Sequence, residues 1–255
     1  MDYKIDKKLL GFCENEKKSS IPLYIIKDIN SLKLTNLISE KQKIFLNSTF
    51  NIEQERYGFF PDENNYLGGA VAIIRESIEP RQSVIDQAAK LTTKLPKKKW
   101  AIKCIDTLKD NEKYNFILGW GLSFYKFNIQ TNKQNKDTSQ TLCVKNVKKL
   151  IKENELEKCF AELKGIFLAR DLINLPPNIL TPYNYEKIIK NCFKGHSTKI
   201  VTYKDRQLEK NFPLLNFVGR SSENKPLLLD IKWSKNNKNN FPNITLIGKG
   251  VTFDS

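Results

Sequence analysis

Asn243–Ser255 reads NITLIGKGVTFDS, and this stretch decides how the rest of the chain is interpreted. Ile244, Thr245, Leu246 and Ile247 run without a strongly polar break, as in a strand covered on both faces. A strand is therefore expected over Ile244–Gly248. Gly248 and Gly250 flank Lys249 and let the backbone turn sharply where that strand ends. Asp254 follows five residues after Lys249. In open α/β sheets chemistry gathers at the carboxyl edge of the strands. A lysine beside a carboxylate at that edge is a candidate site. Two phosphate cradles are excluded. A P-loop needs glycine at 243, where Asn243 stands, and Ser or Thr after the lysine, where Gly250 stands. A dinucleotide fingerprint needs glycine at 253, which is Phe253, and Gly119-Trp120-Gly121 fails likewise at Phe124.

Upstream, Asn154–Asn174 places Leu156, Phe160, Leu163, Phe167, Leu168 and Leu172 at helical spacing. Pro176-Pro177 removes two backbone donors and pushes Leu175 out of the helical region, so the helix stops there. Thr181-Pro182 has the form of a new start, a hydroxyl cap followed by proline at the first helical position. That helix is expected through Tyr185–Phe193, ending near Gly195. Thr198–Tyr203, Leu214–Val218 and Leu227–Trp233 then read as strands.

In the first half, Pro22–Ile26, Gly69–Ile74 and Trp100–Ile105 read as strands, and Ser83–Leu95 and Asn111–Phe127 as helices. Asn47–Tyr66 reads as a long polar loop, and Ile129–Ser139 as a linker or loop. The fold class is α/β: an N-terminal α/β domain over residues 1–145, followed over 146–255 by the incomplete start of a mixed-sheet α/β catalytic domain.

Composition narrows the function. The chain has 255 residues, 40% hydrophobic and 28% charged, enough apolar content for a packed core. Five scattered cysteines without a CxxC pair exclude a disulfide scaffold and a zinc ribbon, and indicate a reducing, cytoplasmic location. They read as small buried hydrophobes rather than nucleophiles. One histidine, His196, excludes a site built on several imidazoles and reads as a surface residue. No apolar run is long enough to span a membrane. The net charge of +15 invites a nucleic-acid reading, but only Arg56, Arg75, Arg81, Arg170, Arg206 and Arg220 are arginine among 43 basic residues. Arginine is the residue that clamps phosphates and guanine edges in bidentate fashion. A solvated lysine surface therefore fits better than a phosphate track, and Trp100 and Phe160 fit buried faces at least as well as stacking platforms.

Three motifs, and a fourth stretch further back in the chain, then carry a resemblance. Leu246–Ser255, LIGKGVTFDS, resembles the first metal-binding motif of the leucyl aminopeptidase family, the M17 metallo-aminopeptidases. Ala169–Pro182, ARDLINLPPNILTP, looks like the segment that opens that family's catalytic domain. Phe217–Ser222 with Pro226–Trp233 is similar to the family's glycine-arginine-serine turn and following strand, and Gly119–Phe127 is similar to its G…YxF helix end. The resemblance covers about residues 115–255.

It implies a cytoplasmic enzyme that releases N-terminal amino acids from peptides with two divalent metal ions, Mn or Zn. Lys249 would ligate one metal through its amine, and Asp254 would bridge both. A lysine ligates only as the neutral amine, so burial and the cation's charge must favour loss of its proton. Paired metals polarise a peptide carbonyl and activate a bridging water. The family's second lysine, its further aspartate and its NTDAEGR segment have no counterpart in this sequence. Two protein ligands cannot hold a dimetal centre. The chain is thus expected to be truncated within the first metal-binding motif and to have little or no peptidase activity alone, with no catalytic residue of its own assigned. The partners implied are a peptide substrate and either a homo-oligomer, hexameric in the family, or a complementing C-terminal fragment. A non-catalytic remnant or partner-binding fragment is the alternative, with a basic nucleic-acid-binding module behind it.

Overall fold

The computed structural model describes residues 10–28, 37–75, 83–105, 107–127, 140–143, 151–194, 196–234 and 242–251. Its contacts gather into two compact units, one ending at Phe167 and the next beginning at Leu168.

The first unit is built on a six-stranded sheet. In chain order the strands are β1 (Phe12–Cys13), β2 (Ile21–Ile26), β3 (Tyr57–Pro61), β4 (Leu67–Ile73), β5 (Lys99–Cys104) and β6 (Thr141–Cys143). They lie in the order β1-β6-β5-β2-β4-β3, parallel throughout except for β3, which runs antiparallel to β4. The apolar runs that mark β2 and β4 in the sequence are those of strands buried on both faces. Leu23 and Ile25 of β2 join the larger core with Ala70, Ala72, Trp100 and Ile102. Tyr24 and Ile26 point the other way, into a smaller core with Val71, Ile73 and Phe60.

Helices cover both faces. α1 (Glu40–Thr49) contributes Leu46 to the smaller core, and the short α2 (Ile52–Glu55) follows it. α3 (Val84–Lys94), α4 (Asp110–Leu122) and the first half of α5 (Glu153–Asn174) contribute Val84, Ala88, Leu91, Phe116, Trp120, Leu156, Cys159, Leu163 and Phe167 to the larger one. α3 and α4 approach closely at Gly119, where a Cβ would run into the backbone of Ile85. α4 stops at Leu122, short of the expected Phe127, with Ser123 as its C-cap.

The stretch 47–66, expected as a loop, instead holds the end of α1, α2 and β3. Ser39 and Gln42 form a reciprocal capping box at the start of α1, and Tyr57, Phe59 and Phe60 give β3 its apolar side chains. Only 62–66 is a true turn: Asp62 accepts from the amides of Asn64 and Tyr66 at 2.9 Å, and Asn65 takes a left-handed φ of 63°.

The second unit begins within α5, which ends at Asn174 before the paired prolines, as expected. The domain boundary expected at 145/146 and the linker Ile129–Ser139 lie outside the described residues. The division at Phe167 has a physical cause, because the preceding half of α5 is part of the sheet's core. α6 (Pro182–Cys192) starts as expected, with the Thr181 hydroxyl accepting from the Asn184 amide at 3.2 Å and proline in its first turn. Gly195, its expected terminus, lies outside the described residues. β7 (Thr198–Tyr203) and β8 (Leu228–Trp233) form an antiparallel pair, with α7 (Asp205–Asn211) and α8 (Pro213–Gly219) between them in sequence. Buried Glu186 pins α6 to this pair, accepting from the Thr202 hydroxyl at 2.7 Å and the Lys190 amine at 2.5 Å.

Two strand expectations fail here. Leu214–Val218 lies within α8: a short apolar run does not distinguish strand from helix, and Pro213 supplies the pre-set φ of a first helical position. Ile244–Gly248 is irregular rather than a strand. A strand exists only through hydrogen bonds to a neighbour, and among the described residues no strand lies beside this segment.

Candidate metal centre

Lys249 sits in the irregular segment 242–251 with its residue exposed to water. A Cβ placed at Gly248 or Gly250 on either side would meet nothing within 4 Å. Asp254 lies outside the described residues. Among the described residues, no three His, Cys, Asp or Glu side chains gather where they could hold a metal ion. One amine and one carboxylate do not fit a pair of cations, since each ion needs several donors.

The other chemically capable residues stand as follows. His196 is exposed and lines an open cavity of about 230 Å³ with Cys192, Phe193 and Trp233. Cys143 and Cys159 are buried, whereas Cys13 and Cys192 are only partly so. Burial, with a smaller contribution from the Glu162 charge, pushes the Cys159 thiol up to about 12, and burial also raises that of Cys192. Neither is a ready thiolate at neutral pH. Of the two readings open for Trp100 and Phe160, the buried one holds: both lie in the larger core.

One arrangement was not anticipated from sequence. At the carboxyl end of β2, Lys27 Nζ reaches the carboxylate of Glu112 at 2.9 Å, and Glu112 is 1% exposed. Burial raises the Glu112 carboxyl, but the Lys109 backbone amide and the Lys27 ammonium outweigh it and hold it below the ordinary range. The only sequence signal was Glu112 in the first turn of α4, where a carboxylate suits the helix N-terminus.

Residues 167–255 match the family model described as "Cytosol aminopeptidase family, catalytic domain". A protein named "Probable cytosol aminopeptidase" in Wolbachia pipientis wMel is 32% identical over 162 residues, covering 60% of this chain and 32% of that one. The crystal structure of a cytosol aminopeptidase from Coxiella burnetii superposes with a TM-score of 0.67 at 22% identity, covering 88% of this chain and 46% of that one. The bottromycin maturation enzyme BotP, solved in complex with Mn, superposes with a TM-score of 0.55 at 12% identity, covering 84% of this chain and 45% of that one. At such identities the structural likeness speaks for the fold. The chain spans less than half the length of these relatives. The mixed α/β fold is shared with these solved aminopeptidases, and the stretch that matches the catalytic-domain model begins at residue 167. By its motifs and these matches, the chain is similar over residues 167–255 to the catalytic domain of the leucyl aminopeptidase family, peptidase M17.

Proposed function

We propose that this chain supplies the N-terminal α/β part and the opening of the catalytic domain of a two-metal aminopeptidase that releases N-terminal amino acids from peptides. The observation that carries the reading is the intact GKGVTFDS string, Gly248–Ser255, within the stretch matched by the catalytic-domain family model. Lys249 and Asp254 are the metal ligands of this reading, and Mn, held by the similarly folded BotP, is the first ion to test. When bound, paired divalent ions would polarise the scissile carbonyl and activate water. This chain's own contribution is an amine and a carboxylate presented after the apolar segment 244–247, with glycines on both sides of the lysine. Its donor set is too small to close the centre, so by itself it has little or no activity.

Covalent fusion tests this. The 255-residue chain is joined to the part of the Wolbachia pipientis wMel relative that lies beyond their matched stretch, and leucine p-nitroanilide hydrolysis is followed with added Mn²⁺. The fusion is expected to hydrolyse the substrate and the chain alone is not. Lys249→Ala in the fusion is expected to lower kcat/KM more than about 100-fold, beyond the loss usual for a residue that merely supports a ligand. Hydrolysis by the chain alone, or an unaffected Lys249→Ala fusion, would contradict the reading.

A further inference from the structure

Two cysteines stand side by side where the six-stranded sheet begins. Cys13 of β1 and Cys143 of β6 are register partners in a parallel pair, as are Phe12 and Leu142 before them. Adjacent strands lie about 4.8 Å apart, and a disulfide bridges Cα atoms about 4.4–6.8 Å apart. Successive side chains of a strand alternate between its faces. Phe12 and Leu142 belong to the larger core, so both cysteines take the opposite face. Their sulfurs reach consecutive carbonyls just past β1: the Cys13 thiol donates to that of Asn15 and the Cys143 thiol to that of Glu14, each at 3.9 Å. The register is held from the core side. The Gly11 carbonyl accepts from the Leu142 amide and from the Trp120 indole, both at 2.9 Å. The two thiols differ in access, since Cys143 is buried and Cys13 is only partly so.

We infer that Cys13 and Cys143 form a modification site, which a hydroperoxide converts into an intrachain disulfide. Cys13 is the sulfur that water-borne oxidant reaches, and Cys143 is the resolving thiol behind it. In the first step the Cys13 sulfur, giving up its proton, attacks one oxygen of ROOH. The O–O bond breaks, ROH leaves with the proton, and Cys13 becomes a sulfenic acid. In the second, the Cys143 sulfur attacks that of Cys13, the S–O bond breaks, and water leaves carrying the Cys143 proton. The two sulfurs lose two electrons between them and the peroxide gains both. The bond ties together two short strands, β1 of two residues and β6 of three. A single reversible link of this kind suits a reducing compartment, where disulfides are transient and redox-sensing rather than structural. A soft metal ion is a poorer occupant of the pair, because among the described residues no third His, Cys, Asp or Glu joins them. Cys159 is a poorer partner: it lies in the larger core, to which Phe12 and Leu142 also belong.

The test is hydrogen peroxide treatment of the 255-residue chain, followed by peptide mapping without reductant. Loss of two of the five thiols is expected, with the Cys13 and Cys143 peptides joined in one chain and released by dithiothreitol. Cys143→Ser is expected to abolish the link and leave a Cys13 sulfenic acid that dimedone captures. Cys13→Ser is expected to abolish it and leave Cys143 reduced. The wild-type map stands without either variant. An unchanged thiol count, a link between any other pair, or a link between two chains through Cys13 would overturn the proposal. So would a wild-type chain in which Cys13 goes on to sulfinic acid while Cys143 stays reduced.

Discussion

Lys27 Nζ lies 2.9 Å from both carboxylate oxygens of Glu112, tying the end of β2 to the first turn of α4. The carboxylate is almost wholly buried, while the lysine keeps a third of its side-chain surface in water. Removing the amine leaves a buried charge held, among the described residues, by the Lys109 amide. Lys27→Met is therefore expected to cost about 2–3 kcal/mol, measured by urea unfolding of the first unit.

The same pair sets a pH dependence. The Glu112 carboxyl is held below its ordinary value in the folded state, so its contribution is fully present above the unfolded value near 4.5. That contribution is lost as pH falls through the lower, folded value. Wild-type stability is expected to decline in this acid window. Glu112→Gln, which does not titrate, is expected to show a flatter decline there from a lower starting stability.

Gly119 allows α3 and α4 to meet, since a Cβ would strike the Ile85 backbone rather than a movable side chain. Gly119→Ala is expected to destabilise by about 1–3 kcal/mol despite alanine's better helix propensity. Gly165, on α5, has open space around its Cβ position. Gly165→Ala is expected to stabilise by up to about 1 kcal/mol. Thermal melting of the two variants with opposite signs checks the assignment; equal effects would contradict it.

Thr202→Val removes the hydroxyl that Glu186 accepts from, leaving the carboxylate with Lys190. A loss of about 1–2 kcal/mol is expected, read as faster hydrogen exchange across α6 and β7.

How much of this could be read from the chain depended on where each element's stabilising contacts lie. β2, β4 and β5 were legible because burial forces apolar runs such as Leu23–Ile26 and Ala70–Ile73. α6 was legible because its start is written locally in Thr181-Pro182. α1 and β3 were not, because the Ser39 and Gln42 capping box and the Phe60 core contact stand amid polar residues that mask the pattern. Segment 244–248 reads as a strand in composition but needs a neighbour that composition does not supply. The division within α5 follows from packing: Phe167 joins the first unit's core while Leu168 begins the second. The candidate site was legible as a string, GKGVTFDS, since motif and spacing are local. Exposure at Lys249 was not, because it depends on what surrounds the segment rather than on its own residues.

In the proposed function, Lys249 and Asp254 are two donors of a metal pair that needs further protein ligands. Calorimetric titration with Mn²⁺ tests it most directly, on the 255-residue chain and on its covalent fusion to the remainder of the Wolbachia pipientis wMel relative. No stoichiometric site is expected on the chain alone, two on the fusion, and fewer than two after Lys249→Ala or Asp254→Ala. Two Mn²⁺ ions bound with unchanged affinity in both variants would contradict it.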